Sequence, residues 1–241
     1  MASEGTICLH DMGQAMDTFA EISWLQALKG LRREDVQHIE SHFKEREVDA
    51  RAPIFRQGEP GDYLCIIQSG RVRLFQYYET GEEFTAGIWS EGYIIGLISA
   101  LLGRRRFIAA QSVDKAVLRV LHRDALLHCM EAIPRFAFNV ANLLALLACE
   151  SMQRAAPLAL EPVDTKLGRA LLRLARPDTS KDRFGEYIVR GVTQEALASM
   201  VGASRPWVNR ALGDFERRGL IQRRRRSIVI SDIVLCRRLW A

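Results

Sequence analysis

Arg205, Asn209 and Arg210 carry side chains suited to reading the edge of a nucleic-acid base, and they fall outside the apolar positions of a short amphipathic segment. An arginine guanidinium presents a planar fork to guanine O6 and N7, and an asparagine amide can pair with adenine through two hydrogen bonds. The apolar residues of that segment, Val208, Ala211, Leu212 and Phe215, recur at i, i+3, i+4 and i+7, the period of a helix with one buried face. Ser204 is placed to cap this helix, and Pro206 is tolerated in its first turn. Just upstream, Thr193 is placed to cap a helix from Gln194 to Val201, whose Leu197, Met200 and Val201 share a face. Gly202-Ala203 supplies a tight turn between the two. Two short helices joined this way, the second with an outward Arg/Asn surface near its start, form the arrangement that enters a DNA major groove. The capping residues Thr193 and Ser204, with Gln194 in the first turn, suit phosphate contacts.

After Gly219 the run Arg223, Arg224, Arg225 and Arg226 lies between Ile221 and Ser227-Ile228-Val229-Ile230, the pattern of a two-stranded wing with a basic tip. A short arginine run alone is more often a solvated surface, but beside a helix pair of this kind phosphate contact is the better reading. The charge distribution agrees. The formal charge of the whole chain is +5, yet residues 1–161 sum to −4 and residues 162–241 to +9. The positive excess therefore sits in the last third, as expected of a domain that meets a polyanion.

The elements that position this surface are of two kinds. Glu21 to Phe43 reads as a pair of short amphipathic helices, with Trp24, Leu25, Leu28, Leu31, Val36 and Ile39 at helical spacings. From Ala50 to Leu121, runs of about five apolar or alternating residues are separated by glycines, the texture of an antiparallel sandwich or barrel, with a hairpin connection at Glu79 to Glu82. A helical stretch opens at His122 to Asp124, and Pro134 starts a longer helix. Phe136, Val140, Leu143 and Leu147 form a seam on it that pairs with a second copy or packs within the chain, and the dimer is the reading adopted. Arg154 to Pro157 is expected to end that helix and begin a hinge. The expected division is 1–133 sensor, 134–156 dimerisation helix and hinge, and 157–241 DNA-binding domain.

In combination and order, these features resemble the cyclic-AMP receptor protein/FNR family of transcription regulators. The resemblance is carried by Ile54 to Glu59 and Leu64 to Val72 in the sensor, and by Thr193 to Ala198, Val201 to Arg205 and Val208 to Leu212 near the C-terminus. It extends over about 220 of the 241 residues. It implies an α+β chain with an N-terminal cyclic-nucleotide-binding-type β-barrel (a double-stranded β-helix or jelly roll), a long dimerisation helix and a C-terminal winged helix-turn-helix. It also implies a homodimer on a palindromic operator, base contacts from Arg205 and Arg210, and RNA polymerase as a partner where the protein activates. Pro206 stands where the family often has Glu or Gln, which leaves the half-site sequence open.

Members of the family that bind cyclic AMP place a glutamate after a glycine for the ribose and an Arg-Ser pair for the phosphate. Here Gly96 is followed by Leu97, and Arg106 by Phe107. Leu97 cannot accept a ribose hydroxyl bond, and leaving such groups unpaired costs roughly 1–3 kcal/mol each. The expected effector pocket of Gly96, Leu97, Arg106, Phe107 and, from the long helix, Ser151 therefore takes a small molecule other than cyclic AMP, or none. No cofactor or metal is expected. Cys8 alone near the N-terminus does not make an iron–sulfur site. Haem stays open through His10, His38, His42, His122 or His128, and the i, i+4 pair His38/His42 reads as solvated helix surface without an apparent third ligand. The five cysteines show no CxxC pair and are expected as free thiols. No signal peptide or run of about 20 apolar residues is present, so a cytoplasmic protein without membrane contact is expected. Enzyme motifs of the GxSxG, HExxH and P-loop kinds are missing, and the alternatives to a sequence-specific regulator are an enzyme-regulatory protein built on the same barrel or a nonspecific DNA binder.

Overall fold

Short, β-rich, glycine-punctuated stretches build the sensor half of the molecule, and apart from one hairpin they pair with strands distant in sequence. The structure is a computed structural model describing residues 23–79, 81–178, 186–225 and 227–240; Cys8, His10, Thr80 and Arg226 lie outside these residues. Two helices lead in, α1 (Trp24–Ala27) and α2 (Arg33–Ser41). The strands are β1 (Lys44–Val48), β2 (Pro53–Phe55), β3 (Tyr63–Ser69), β4 (Val72–Tyr77), β5 (Glu83–Trp89), β6 (Ile94–Ile95), β7 (Ala109–Ser112) and β8 (Ala116–His122), with α3 (Leu97–Leu102) between β6 and β7. They form two antiparallel sheets of four, in the orders β1-β8-β3-β6 and β2-β7-β4-β5. No closed barrel forms among the described residues. The sheets are two layers of a jelly-roll sandwich that share one core, including Ile54, Leu64, Ile67, Val72, Leu74 and Leu118. The hairpin expected at Glu79 to Glu82 joins β4 to β5, closed by Tyr78 N–H donating to the Glu82 carbonyl at 2.9 Å.

Past β8 come α4 (Arg123–Ala132) and α5 (Pro134–Leu160). Phe136, Val140 and Leu143 of α5 are at most 1% exposed within a single chain, because they cap the sandwich core. Trp24 packs edge-on against both Phe43 and Phe136, with ring centres 5.2 and 5.7 Å apart. Asn139, also buried, donates its amide to the carbonyls of Ala27 (3.0 Å) and Lys29 (2.8 Å). The expected dimer seam of Phe136, Val140, Leu143 and Leu147 is therefore corrected. The first three belong to the chain's own core, and Leu147 is half-buried at its edge. The outward stripe runs through Phe138, Ala141, Ala145, Ala148 and Met152, all exposed and spaced three, four, three and four apart. The helix end is corrected as well. α5 continues through residue 157 to Leu160, since one interior proline kinks a helix without always ending it, and the break comes at Glu161-Pro162. No single helix among the described residues is long and apolar enough to cross a membrane.

The C-terminal part comprises α6 (Val163–Leu174), β9 (Arg176–Pro177), β10 (Tyr187–Arg190), α7 (Gln194–Val201), α8 (Arg205–Arg217), β11 (Ile221–Arg224), β12 (Ser227–Ile230) and α9 (Ile233–Trp240). Its strands form a third antiparallel sheet, β11-β12-β10-β9. A separate core of Leu167, Leu171, Leu197, Val208, Leu212, Phe215 and Trp240 holds it. If Phe136 is part of the chain's own core, Phe136→Ala lowers the unfolding free energy by about 3–5 kcal/mol in urea. Sedimentation should find the self-association constant unchanged, and a selective loss of self-association would restore Phe136 to the seam.

Candidate nucleic-acid interface

Both helix starts are capped as their residue types require. Thr193 Oγ1 accepts from Ala196 N–H at 3.0 Å, and Ser204 Oγ from Trp207 N–H at 3.3 Å. Between the helices Gly202 adopts φ +66°, a left-handed conformation that a side chain would strain. Val208, Leu212 and Phe215 of α8 are buried, and Ala211 is half-buried. Arg205, Asn209 and Arg210 are exposed on the other side. Arg210 has no hydrogen bond or ion pair among the described residues, while Arg205 lies 3.4 Å from Glu195. Asn209 is more constrained than its sequence position suggests. Its Oδ1 accepts from Gln194 Nε2 (3.3 Å) and from Arg223 Nη1 (3.2 Å), so its acceptor is already shared between the first helix and the wing.

The wing is β11 and β12, paired antiparallel from Ile221↔Ile230 to Arg224↔Ser227. Its arginines divide into two kinds. Arg223 forms a two-point contact with Glu216 of α8, Nε to Oε2 at 2.7 Å and backbone N–H to Oε1 at 2.8 Å. These bonds hold the Glu216 carboxyl below its ordinary range. Arg224 forks onto Glu186 at 2.9 and 3.3 Å. Arg225, at the tip, is exposed and has no partner among the described residues; Arg226 lies outside them. Arg223 and Arg224 therefore brace the wing, and Arg225 is its outward cation among the described residues. Glu216 and Glu186, which the residue pattern did not single out, set that division.

The two halves of the chain meet at β5. Ser199 of α7 accepts from Thr85 N–H (2.7 Å), donates to the Glu83 carbonyl (2.6 Å), and lies 3.0 Å from Thr85 Oγ1. Arg73 backs this knot by donating to Thr85 Oγ1 at 2.9 Å and pairing with Glu83. A second tie runs from Arg71, salt-bridged to Asp114 at 2.7 Å, to the Arg190 carbonyl. Beside the knot a cleft of about 190 Å³ opens between β5 and α6, with Trp89 and Tyr93 on one wall and Lys166, Arg169, Arg173 and Arg176 on the other. Nothing in the local pattern of Ser199 pointed to this contact, because its partners are 114 and 116 residues away.

The expected effector residues are differently disposed. Leu97 is 2% exposed and sits in the sensor core. Arg106 is equally buried, stacked between the rings of Phe55 (4.3 Å) and Tyr63 (4.6 Å), and it donates to the carbonyls of Gly96 (3.0 Å) and Tyr63. Its Nε is buried with no partner. Burial lowers its pKa below the ordinary arginine value. A Cβ on Gly96 would come within 2.5 Å of Arg106 Nη1, which explains the glycine there. Phe107 points away, half exposed. Ser151 faces solvent and returns its hydroxyl to the Leu147 carbonyl at 2.8 Å. Gly96, Leu97 and Arg106 thus come together, but around an arginine already engaged by the protein, and Phe107 and Ser151 are turned outward.

Comparisons with known proteins agree with this architecture. Residues 45–132 match the cyclic nucleotide-binding domain family and residues 165–235 the Crp-like helix-turn-helix domain family. The chain is 31% identical over 179 residues to a CRP-like cAMP-activated global transcriptional regulator of Mycobacterium tuberculosis (strain CDC 1551 / Oshkosh), covering 74% of this chain and 80% of that protein. It is 31% identical over 193 residues to the cyclic AMP receptor protein of Thermus thermophilus, covering 80% and 86%. Among solved structures, the c-di-GMP responsive global regulator CLP of Xanthomonas campestris superposes with a TM-score of 0.70 at 20% identity, over 83% of this chain and 100% of that one, a likeness of fold. A jelly-roll sensor, a long connecting helix and a braced winged helix pair with an outward arginine face, joined to these relatives, place the chain in the cyclic-AMP receptor protein/FNR family of DNA-binding transcription regulators.

Proposed function

We propose that the chain acts in the cytoplasm as a homodimer on a palindromic operator, with α8 read into the major groove and the wing against phosphate. The observation that carries this is Arg210, exposed and unengaged among the described residues, opposite the buried Val208–Leu212–Phe215 stripe. Arg205 supports it from the first turn, and the starts of α7 and α8, at Thr193-Gln194 and Ser204, offer backbone donors to phosphates. Asn209, held by Gln194 and Arg223, serves first to fix the helix–wing angle. RNA polymerase is a further partner where transcription is raised. The effector is a small molecule other than cyclic AMP, or none, because the ribose position holds a core leucine and the phosphate arginine is tied to two carbonyls.

Three outcomes are expected. Selection of bound DNA from random fragments yields one recurrent palindrome, and on it Arg210→Ala costs about 1–3 kcal/mol and relaxes base choice at one position per half-site. Unchanged affinity and base preference in that variant would mean α8 does not face the bases. Ala145→Glu sets two carboxylates against each other in the outward stripe of α5, and it raises the dimer dissociation constant about 100-fold or more without unfolding the chain. Sedimentation showing an intact dimer would remove that stripe from the interface. Calorimetry with cyclic AMP gives no binding heat up to about 1 mM, the level at which binding is worth only about 4 kcal/mol. Micromolar binding, matched by a gain in operator affinity, would overturn the reading of Leu97.

A further inference from the structure

The end of α2 and the neighbouring α4 hold a group of side chains that the regulator's DNA chemistry does not use. His38 and His42 lie one turn apart at the end of α2, with ring centres 5.0 Å apart. The fold brings α4 against them. Cys129, fully buried, offers its Sγ, and one donor atom from each of His38, His42 and Cys129 lies within 4.8 Å of the others. His128, next to Cys129 and exposed, has its ring 6.0 Å from His38 and 6.4 Å from His42. The Nε2 of His42 is buried without a hydrogen-bond partner, a costly state for a polar atom unless something meets it. The pair expected to be plain helix surface therefore has a third ligand beside it, supplied from a position 87 residues beyond His42.

The spacing suits a particular class of ion. Two imidazoles on one tetrahedral centre, each nitrogen about 2.0–2.1 Å from the metal, put their ring centres about 5 Å apart, and a thiolate at about 2.3 Å lies about 3.5 Å from each nitrogen. The His38–His42 rings already meet the first distance, and the donor atoms need to close by about 1 Å to meet the second. Nitrogen with thiolate selects a borderline-soft ion of the zinc type over magnesium or calcium, which take oxygen. We propose that His38, His42 and Cys129 form a site for a zinc-class divalent ion, with the His128 imidazole or a water completing the tetrahedron. Such an ion clips α2 to α4. Cys129 lies four residues before Ile133, whose N–H bonds back to the Cys129 carbonyl at 2.9 Å just where α5 begins. The clip thus fixes the base of the helix that carries the dimer stripe.

The test uses the full-length chain without an affinity tag, stripped with chelator and titrated with Co²⁺, then with Zn²⁺ against a chromophoric competitor. One Co²⁺ per chain is expected, with the visible bands of a tetrahedral site and a near-ultraviolet thiolate charge-transfer band. Cys129→Ser should abolish that band, and Cys129→Ser, His42→Ala and the surface variant His38→Gln should each weaken Zn²⁺ binding by about 100-fold or more. Cys149→Ser should change neither. At a hundredfold excess over the dissociation constant, Zn²⁺ should raise the unfolding midpoint of the unsubstituted chain by about 5–10 °C. His38→Gln replaces an exposed residue, so it keeps the test meaningful if a buried variant fails to fold. Binding weaker than about 10 μM, or binding that persists in His38→Gln with the thiolate band intact, overturns the site.

Discussion

The rotation of α5 about its own axis decides the rest of the molecule. Asn139 gives both amide hydrogens to the carbonyls of Ala27 and Lys29, and on either side of it Phe136, Val140 and Leu143 enter the sandwich core. A buried amide bonded at two points admits one orientation, since a turn of the helix would leave two carbonyls and the amide unsatisfied in an apolar setting. With that side committed, the stripe that faces outward follows from helical geometry alone. The direction in which the helix delivers α6 and the DNA-binding domain is set by the same anchor.

The sensor meets the DNA-binding half at a small polar knot. Ser199 is bonded to the backbone of β5 at Glu83 and Thr85, and the side chain of Arg73 holds that strand from behind. Apolar contacts tolerate sliding, whereas hydrogen bonds of defined direction are made or lost as a unit. Any change in the sensor that shifts β5 therefore bears directly on α7, the helix that supports α8. The aromatic wall of the neighbouring cleft belongs to the sensor and its basic wall to α6 and Arg176, so whatever fills it touches both halves at once.

What could be read from the residues was what they determine locally. Thr193, Gly202 and Ser204 announce two capped helices and a left-handed turn within about a dozen positions, and the structure has them there. The sense of α5 was not legible, because two series share its helical spacing. The bulky Phe136, Val140 and Leu143 look like a seam, but bulk went to the core, where there was most surface to cover. The small Ala141, Ala145 and Ala148, which the residue pattern did not single out, line the exposed side, where a second helix can approach closely. Arg106 stood where a phosphate contact was expected, yet Phe55 and Tyr63 enclose it from more than 40 positions upstream. The ties of Arg223 to Glu216 and of Arg224 to Glu186, like that of Ser199 to Thr85, depend on tertiary placement, which spacing along the chain does not encode.

The wing has a consequence for how the protein responds to its ionic surroundings. Four consecutive arginines suggest four displaced counterions, each steepening the fall of affinity with salt by nearly one unit of slope on logarithmic axes. Yet Arg223 and Arg224 are already neutralised by Glu216 and Glu186. A phosphate reaching either must compete with a carboxylate held in place, and releases little from the DNA by doing so. The wing should thus weigh less in the salt response than its composition suggests, leaving more of the binding to contacts on α8.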